Sequence, residues 1–100
     1  MGAIKANNYV EEEINIAMLC DAISHPARKR MLDLLNDHVY LRNIDLVRLL
    51  NLSPTAIMNH INTMKKVDLV EINYSMHWYE VRLVRGRLDE LIEYLEKIRG

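Results

Sequence analysis

A stripe of hydrogen-bonding side chains near the middle of the chain offers the clearest chemistry in the sequence. The stripe recurs at helical spacing within residues 54–67 and comprises Thr55, Asn59, Asn62, Thr63 and Lys66. No acidic residue lies between Ser53 and Val67. Amide, hydroxyl and ammonium groups suit base edges and phosphates, and an α-helix fits the major groove of B-DNA. The stripe therefore favours a DNA-contacting helix, and the alternative is a merely solvated helix face.

Basic and small polar residues outside the stripe would add phosphate contacts. Lysines follow within the same helix, Arg42 precedes the next helix upstream, and His77 and Arg82 belong to a predicted hairpin. His60 fits either a nucleic-acid contact or a helix-packing role. The predicted DNA-binding residues are Arg42, Ser53, Thr55, Asn59, His60, Asn62, Thr63, Lys65, Lys66, His77 and Arg82.

The charge of the chain is distributed unevenly along its length. Its 100 residues carry a net charge of −1, which by itself gives no sign of a nucleic-acid partner. Residues 25–87 carry a net +4, whereas residues 1–24 carry −3 and residues 88–100 carry −2. The basic middle section is therefore the part suited to meet phosphates, and the acidic ends are suited to face away from them.

Other chemistries find little support in the sequence. No Ser/His/Asp or Cys/His/Asn set, glycine-rich phosphate loop or paired carboxylates stand out, so we expect neither an enzyme nor a cofactor. Cys20 and His25 fall short of the three or four ligands of a metal site, so no metal is expected. Cys20 is expected to be a small buried side chain, with a redox-responsive or subunit-bridging thiol as the alternative. A single cysteine and the absence of a signal or membrane-spanning run predict a cytoplasmic protein without a membrane partner.

Hydrophobic periodicity divides the chain into helices and strands. The predicted elements are helices over 9–24, 26–36, 44–50, 54–67 and 87–99, and strands over 39–42, 69–74 and 78–84. Ser53 and Pro54 suit the N-cap and first position of the fourth helix, and Asn43 suits the N-cap of the third. In the fourth helix, Ile57, Ile61 and Met64 are expected to face the core.

The order α1-α2-(β1)-α3-α4-β2-β3-α5 is typical of a winged helix-turn-helix protein. We therefore predict an α+β fold that is mainly α-helical, with residues 54–67 as the recognition helix and a small β-hairpin wing over 69–84. Residues 9–100 are expected to form a single domain, with a flexible N-terminus over residues 1–8.

Apolar residues on the first and last helices predict a homodimer. The expected interface residues are Val10, Ile14, Met18, Leu88, Leu91, Ile92, Leu95 and Ile98. The alternative is that both helices only complete the core of one subunit. A two-fold dimer would place two recognition helices about one DNA turn apart, roughly 34 Å, which predicts a pseudo-palindromic operator.

Two stretches of sequence resemble the ArsR-type winged-helix repressors. Residues 23–35, with Pro26 and Arg28, resemble the opening of that family, and residues 52–70, with Ser53 and His60, resemble its recognition helix. Met58 stands where the family usually has serine, and Asp68 where it usually has glycine. The resemblance implies a homodimeric transcriptional regulator, in which Arg28 and Arg30 would hold the second helix through ion pairs.

The resemblance also bears on metal sensing. A known metal site of the family needs a Cys-x-Cys pair on the third helix, where residues 42–48 contain no cysteine, and another uses histidine on the last helix, which has none. We therefore predict a metal-free, sequence-specific regulator of transcription that binds double-stranded DNA. Repression by occupying the operator is favoured, and activation stays open. The alternative is a winged-helix protein-interaction module that does not bind DNA, for which an acid-free helix face would not be needed.

Overall fold

The computed structural model describes residues 8–100 of the chain. In order along the chain, the elements are α1 (Glu11–Ala22), α2 (Pro26–Asn36), β1 (Leu41–Arg42), α3 (Asn43–Leu50), α4 (Pro54–Lys66), β2 (Val70–Tyr74), β3 (Tyr79–Leu83), a 3₁₀ turn (Arg85–Leu88) and α5 (Asp89–Arg99). The predicted element order and the α+β winged helix-turn-helix class are confirmed. The flexible N-terminus predicted over residues 1–8 lies, apart from exposed Asn8, outside the described residues.

The three strands form one antiparallel sheet in the order β1-β3-β2. Val81 lies in the middle of the sheet, opposite Leu41 on one side and Ile72 on the other. Alternation along the strands places these apolar residues toward the helices. Polar residues, among them Asn73 opposite Glu80, occupy the other face of the sheet. The wing is defined below as β2, β3 and the turn between them, residues 70–83.

One hydrophobic core joins all five helices to the sheet. Its buried residues are Ile16, Leu19, Ala22, Met31, Leu35, Leu41, Leu46, Ile57, Ile61, Met64, Val67, Leu69, Val70, Val81 and Leu91. The three core positions predicted for α4 are fully buried. Because α4 is fixed along one whole side, its opposite side is held in a defined orientation.

The first helix packs into the core through one of its two apolar sides. The helix is shorter than the predicted 9–24, and Ile16, Leu19 and Ala22 face the core, while Val10 and Met18 are exposed. Apolar residues occur on two sides of α1, and docking against the rest of the chain selects one of them. Cys20 is exposed, so the expectation that it is buried is wrong.

Helix ends explain most of the other differences from the predicted bounds. Arg42, not Asn43, is the N-cap of α3. The backbone N–H of Arg42 donates a hydrogen bond of 2.9 Å to the Asp45 carboxylate. The last helix begins at Asp89 because a 3₁₀ turn precedes it. Asn51 ends α3 and Asp68 follows α4, with φ values of 54° and 60° in the left-handed region. Asp68 thus adopts the conformation that glycine adopts at lower cost.

Candidate nucleic-acid interface

The fourth helix is positioned by its N-terminal cap and by its buried side. The Ser53 hydroxyl accepts a hydrogen bond of 3.1 Å from the backbone N–H of Ala56, and Pro54 occupies the first turn. The predicted cap is therefore confirmed. With the left-handed turn at Asn51, this cap produces the short connection between α3 and α4 that defines a helix-turn-helix.

The side of α4 that faces away from the core carries the predicted polar stripe. Thr55, Asn59, Asn62 and Lys66 are exposed, and Thr63 is half-buried. Asn59 and Asn62, with Thr63 and the two lysines, line one open depression on the surface of α4. The Thr63 hydroxyl donates to the backbone carbonyl of Asn59 at 3.1 Å. Its proton is thus engaged within the helix, whereas the two asparagine side chains project outward.

The basic residues around α4 differ in their surroundings. The Lys65 ammonium lies 5.6 Å from the centre of the Tyr74 ring, so this side chain extends from α4 toward the wing. The Arg42 guanidinium lies 5.3 Å from the centre of the Trp78 ring, at the N-terminus of α3. Both lysines and Arg42 are exposed. Three cationic groups thus remain accessible along the α3, α4 and wing side of the molecule.

The side-chain amide of Asn43 connects α3 to the wing. Its oxygen accepts a hydrogen bond of 3.3 Å from the backbone N–H of Tyr79. The Tyr79 ring packs 6.0 Å from that of Tyr74, and burial raises the pKa of the Tyr79 hydroxyl. Asn43 therefore helps to position β3 of the wing instead of capping α3.

Arg82 uses one nitrogen of its guanidinium for a contact within its own sheet. It lies on the polar face of the sheet, 3.2 Å from the Glu80 carboxylate and 5.5 Å from the centre of the Tyr40 ring. Glu80 is only 7% exposed, and Asn73 donates a second hydrogen bond to the same carboxylate oxygen at 3.3 Å. Arg82 is therefore the cation that neutralises a buried carboxylate. The spacing of these two residues in one strand, which places both on the same face, could have indicated the pair from the sequence.

An Arg82→Ala substitution is expected to reduce stability and to leave DNA contacts intact. Loss of the guanidinium leaves the Glu80 charge buried without its cation, which should lower the free energy of unfolding by about 1–3 kcal/mol. Chemical denaturation measures this change. Combining the substitution with Glu80→Gln should restore part of the lost free energy of unfolding, since the buried group is then neutral. Unchanged stability together with a flatter salt dependence of DNA binding would instead identify Arg82 as a phosphate contact.

His60 and His77 occupy very different places. His77 is exposed in the turn of the wing, where the Ser75 N–H donates to the Trp78 carbonyl at 2.8 Å. His60 lies on the flank of α4 that faces α2, with its ring centre 4.5 Å from that of His25. This placement corresponds to the packing role considered for His60.

Arg28 makes a contact that sequence reasoning missed. Its guanidinium is 3.1 Å from the His60 ring and donates to the carbonyl of Ala22 at 2.7 Å, and no ion pair of Arg28 occurs within residues 8–100. The ion pairs expected for this residue are therefore wrong. The two partners are 32 residues apart, and no local pattern connects them.

The outer surfaces of α1 and α5 carry apolar residues without a partner in the single chain. The exposed members are Val10 and Met18 on α1, and Ile92, Leu95 and Ile98 on α5. Leu91, in contrast, is 5% exposed and belongs to the core of this chain, while Ile14 and Leu88 are half-buried. An open groove of about 810 Å³, lined in part by Met18 and Lys66, separates α1 from the end of α4.

Among residues 8–100, no three His, Cys, Asp or Glu side chains lie together as metal ligands would. No helix in the same range has the length and apolar character needed to span a membrane.

Comparison with known proteins shows which family this arrangement resembles. Residues 25–71 match the family model of the bacterial regulatory proteins of the arsR family. An ArsR-like transcriptional regulator from Rhodococcus sp. RHA1 has a similar structure, with a TM-score of 0.78 and 25% sequence identity over 89% of this chain and 83% of that protein. No curated protein matches the sequence.

Two more solved structures share the fold at lower identity. HlyU from Vibrio cholerae N16961 has a TM-score of 0.72 and 21% identity, over 90% of this chain and 97% of that one. NolR from Sinorhizobium fredii has a TM-score of 0.65 and 18% identity, over 97% and 95% of the two chains. The family match spans the helix-turn-helix and ends at the second residue of β2, and the structural similarity extends over most of the chain. The resemblance seen in the sequence is thus confirmed: residues 25–71 match the arsR family model, and the winged helix-turn-helix fold is similar to that of an ArsR-like transcriptional regulator.

Proposed function

We propose that this regulator is a cytoplasmic homodimer that binds a pseudo-palindromic operator in double-stranded DNA and represses transcription by occupying it. The observation that carries the proposal is the outer side of α4, where Asn59 and Asn62 are exposed on a surface free of acidic residues. A helix with these properties can enter the major groove without charge repulsion from phosphates.

Within this proposal, the residues around α4 divide into three roles. Asn59 and Asn62, with Thr55, contact base edges, because asparagine amides pair well with adenine in the major groove. Lys65, Lys66 and Arg42 contact phosphates. The remaining predicted residues, Ser53, His60, Thr63, His77 and Arg82, act at the edges of the interface or hold its elements in place.

The dimer is supported by the unpartnered apolar surface of α1 and α5. Exposed apolar side chains on two neighbouring helices, valine and methionine at α1 and leucine and isoleucine on α5, are unfavourable in water, and a second copy of the same surface would cover them. Glu11, Glu12, Glu90 and Glu93 line a second groove between these two helices. Their negative charge suits the side of a dimer that faces away from DNA.

The salt dependence of DNA binding tests the proposal directly. Each phosphate contact contributes about 0.9 to the slope of log affinity against log salt concentration, so Lys65→Ala should flatten the slope by about one unit. Binding to fragments selected from genomic or random DNA can be measured by fluorescence anisotropy at several salt concentrations. Lys29→Ala is the matched control, because Lys29 lies on α2 and pairs with Asp33 at 2.7 Å.

The outcomes separate DNA binding from the protein-interaction alternative. An unchanged slope for Lys29→Ala and a flatter slope for Lys65→Ala support the assigned interface. A chain that selects no DNA fragment, or binds DNA with no dependence on salt, would instead favour the interaction module.

A further inference from the structure

A cluster of two histidines and an arginine joins α1, α2 and α4. His25 is the N-cap of α2, and its Nδ1 atom accepts a hydrogen bond of 3.0 Å from the backbone N–H of Ala27. The His60 ring on α4 packs against the His25 ring, with 4.5 Å between centres and 54° between planes. The cluster thus forms part of the contact through which α2 supports the recognition helix.

Arg28 completes the cluster through three contacts. Its Nε donates to the Ala22 carbonyl at 2.7 Å, its Nη2 donates to the Asp21 carbonyl at 3.3 Å, and its Nη1 lies 3.1 Å from Nδ1 of His60. The carbonyls belong to the last turn of α1, so one guanidinium bridges the end of α1 and the flank of α4. A guanidinium has donors only and stays charged, which makes Nδ1 of His60 the acceptor of this bond.

The geometry of the cluster requires both imidazoles to be neutral. His25 must accept from a backbone N–H at Nδ1, and His60 must accept from Arg28 at its own Nδ1. In a neutral imidazole that accepts at Nδ1, the proton resides on Nε2. A proton on either Nδ1 would face the N–H donor that now binds there, so the hydrogen bond would be lost. In His60 the added positive charge would also be repelled by the Arg28 guanidinium.

The surroundings of His60 also favour its neutral imidazole. Burial lowers the pKa of His60 below its ordinary value of 6.5, and repulsion from His25, when that ring carries a proton, and from Arg28 lowers it further. His25 and Arg28 are the titratable and charged groups of α2 in contact with His60. On the α1 side, the carbonyls of Asp21 and Ala22 face Arg28, and Asp21 is among the residues lining the groove between α1 and the end of α4.

We infer that His60 is a positioning residue for the recognition helix that works only as the neutral imidazole, so that mild acidification weakens operator binding by this regulator. The inference rests on the proposed function and adds a regulatory input to it. When His60 is protonated, its bond to Arg28 is lost, and α4 loses its link to the end of α1. The adjacent residues Asn59 and Thr63 then no longer keep the orientation in which they meet DNA.

The expected sign is opposite to that of ordinary protein–DNA electrostatics. Acidification adds positive charge to a protein surface, which favours phosphate binding. The cluster predicts weaker DNA binding instead. If a proton must leave His60 before DNA binds, the affinity falls by up to about tenfold for each unit by which the pH decreases. The free energy of unfolding should also fall on acidification, but from a higher pH than the affinity does, because the affinity falls only when the pH approaches the lowered pKa of His60 in the folded protein. The free energy of unfolding should be highest above pH 6.5 and fall as the pH decreases below this value, because the unfolded chain then binds a proton that the folded chain excludes.

The test measures affinity for a DNA fragment selected at pH 7.5, by anisotropy between pH 7.5 and 5.5 at constant ionic strength. The decisive variant combines His25→Asn with His60→Asn, since an asparagine oxygen can accept at the place of Nδ1 and does not titrate in this range. The readout is the ratio of affinities at the two pH values, which is independent of the affinity at pH 7.5. His38→Asn is the control, because His38 lies between α2 and β1, where its Nδ1 is 2.8 Å from the Leu34 carbonyl.

Each result decides the matter. A ratio well above one for the wild type and His38→Asn, and close to one for the double variant, supports the inference. Binding that is intact at pH 7.5 but unchanged or tighter at pH 5.5 overturns the inference and leaves the proposed function standing. Absence of DNA binding at every pH overturns the proposed function itself. Imidazole ¹⁵N shifts provide a DNA-independent check, because a proton on Nδ1 of His60 at pH 7.5 would contradict the cluster geometry.

Discussion

An Asn62→Asp variant is expected to bind operator DNA at least about 100-fold more weakly than the wild type. Asn62 is exposed on the acid-free side of α4, beside Asn59 and the two lysines. Loss of an amide that pairs with a base edge is worth about 1–3 kcal/mol, and the new carboxylate adds repulsion from the phosphates. The carboxylate would also lie one helical turn before Lys66, where its charge would offset that of the ammonium and weaken the phosphate contact.

The measurement is anisotropy with the selected DNA fragment, and the control is Asn8→Asp. The control makes the same change in net charge at an exposed position before α1, so its affinity should stay within about twofold of the wild type. Circular dichroism and thermal unfolding should be unchanged for both variants, since neither side chain is buried. Equal loss of affinity in the two variants would attribute the effect to overall charge. Retained affinity in Asn62→Asp would exclude this side of α4 from the DNA interface.

The recognition helix could be predicted from sequence because several local signals coincide there. Ser53 and Pro54 fix where it begins, and Ile57, Ile61 and Met64 fix which side is buried. Each signal acts over one or two helical turns and agrees with the others, so tertiary packing had nothing to override. The opposite, polar side of α4 then followed from geometry alone.

The packing of α1 could not be predicted in this way. Val10, Ile14 and Met18 define one apolar side, but Ile16 and Leu19 define another, and the core takes the second. Local periodicity indicates that a helix exists but does not choose between two apolar sides, because the choice depends on which neighbour it meets. The same limit applies to Arg28 and His60, whose contact depends on how α2 and α4 cross.

The two sides of α1 have a functional meaning under the proposed dimer. The side that the core leaves uncovered contains residues assigned to the dimer interface from sequence, among them Met18, which lines the groove beside the end of α4. Such a helix can pack one apolar side into its own core and still offer the other to a second subunit. The acidic groove between α1 and α5 then adds repulsion from DNA on that side of the molecule.

A Leu95→Glu variant is accordingly expected to be monomeric at concentrations where the wild type is a dimer. Leu95 is 48% exposed on the apolar side of α5, between the similarly exposed Ile92 and Ile98. In a two-fold interface each substitution occurs twice, so two carboxylates would enter an apolar contact. Their desolvation and mutual repulsion should cost about 3 kcal/mol or more, which raises the dissociation constant of the dimer by at least about 100-fold.

Sedimentation and light scattering at several protein concentrations measure this change, with Leu49→Glu as the control. Leu49 is 56% exposed on α3, away from both terminal helices, so the same substitution there should leave the dimer intact. Monomeric Leu95→Glu should also lose DNA affinity. Each subunit then binds its half-site alone, without the roughly 10²–10⁴-fold gain that linkage to a second site provides. A Leu95→Glu protein that stays dimeric would place the subunit contact elsewhere, because no dimer built on this side of α5 could bury two carboxylates at its centre without weakening.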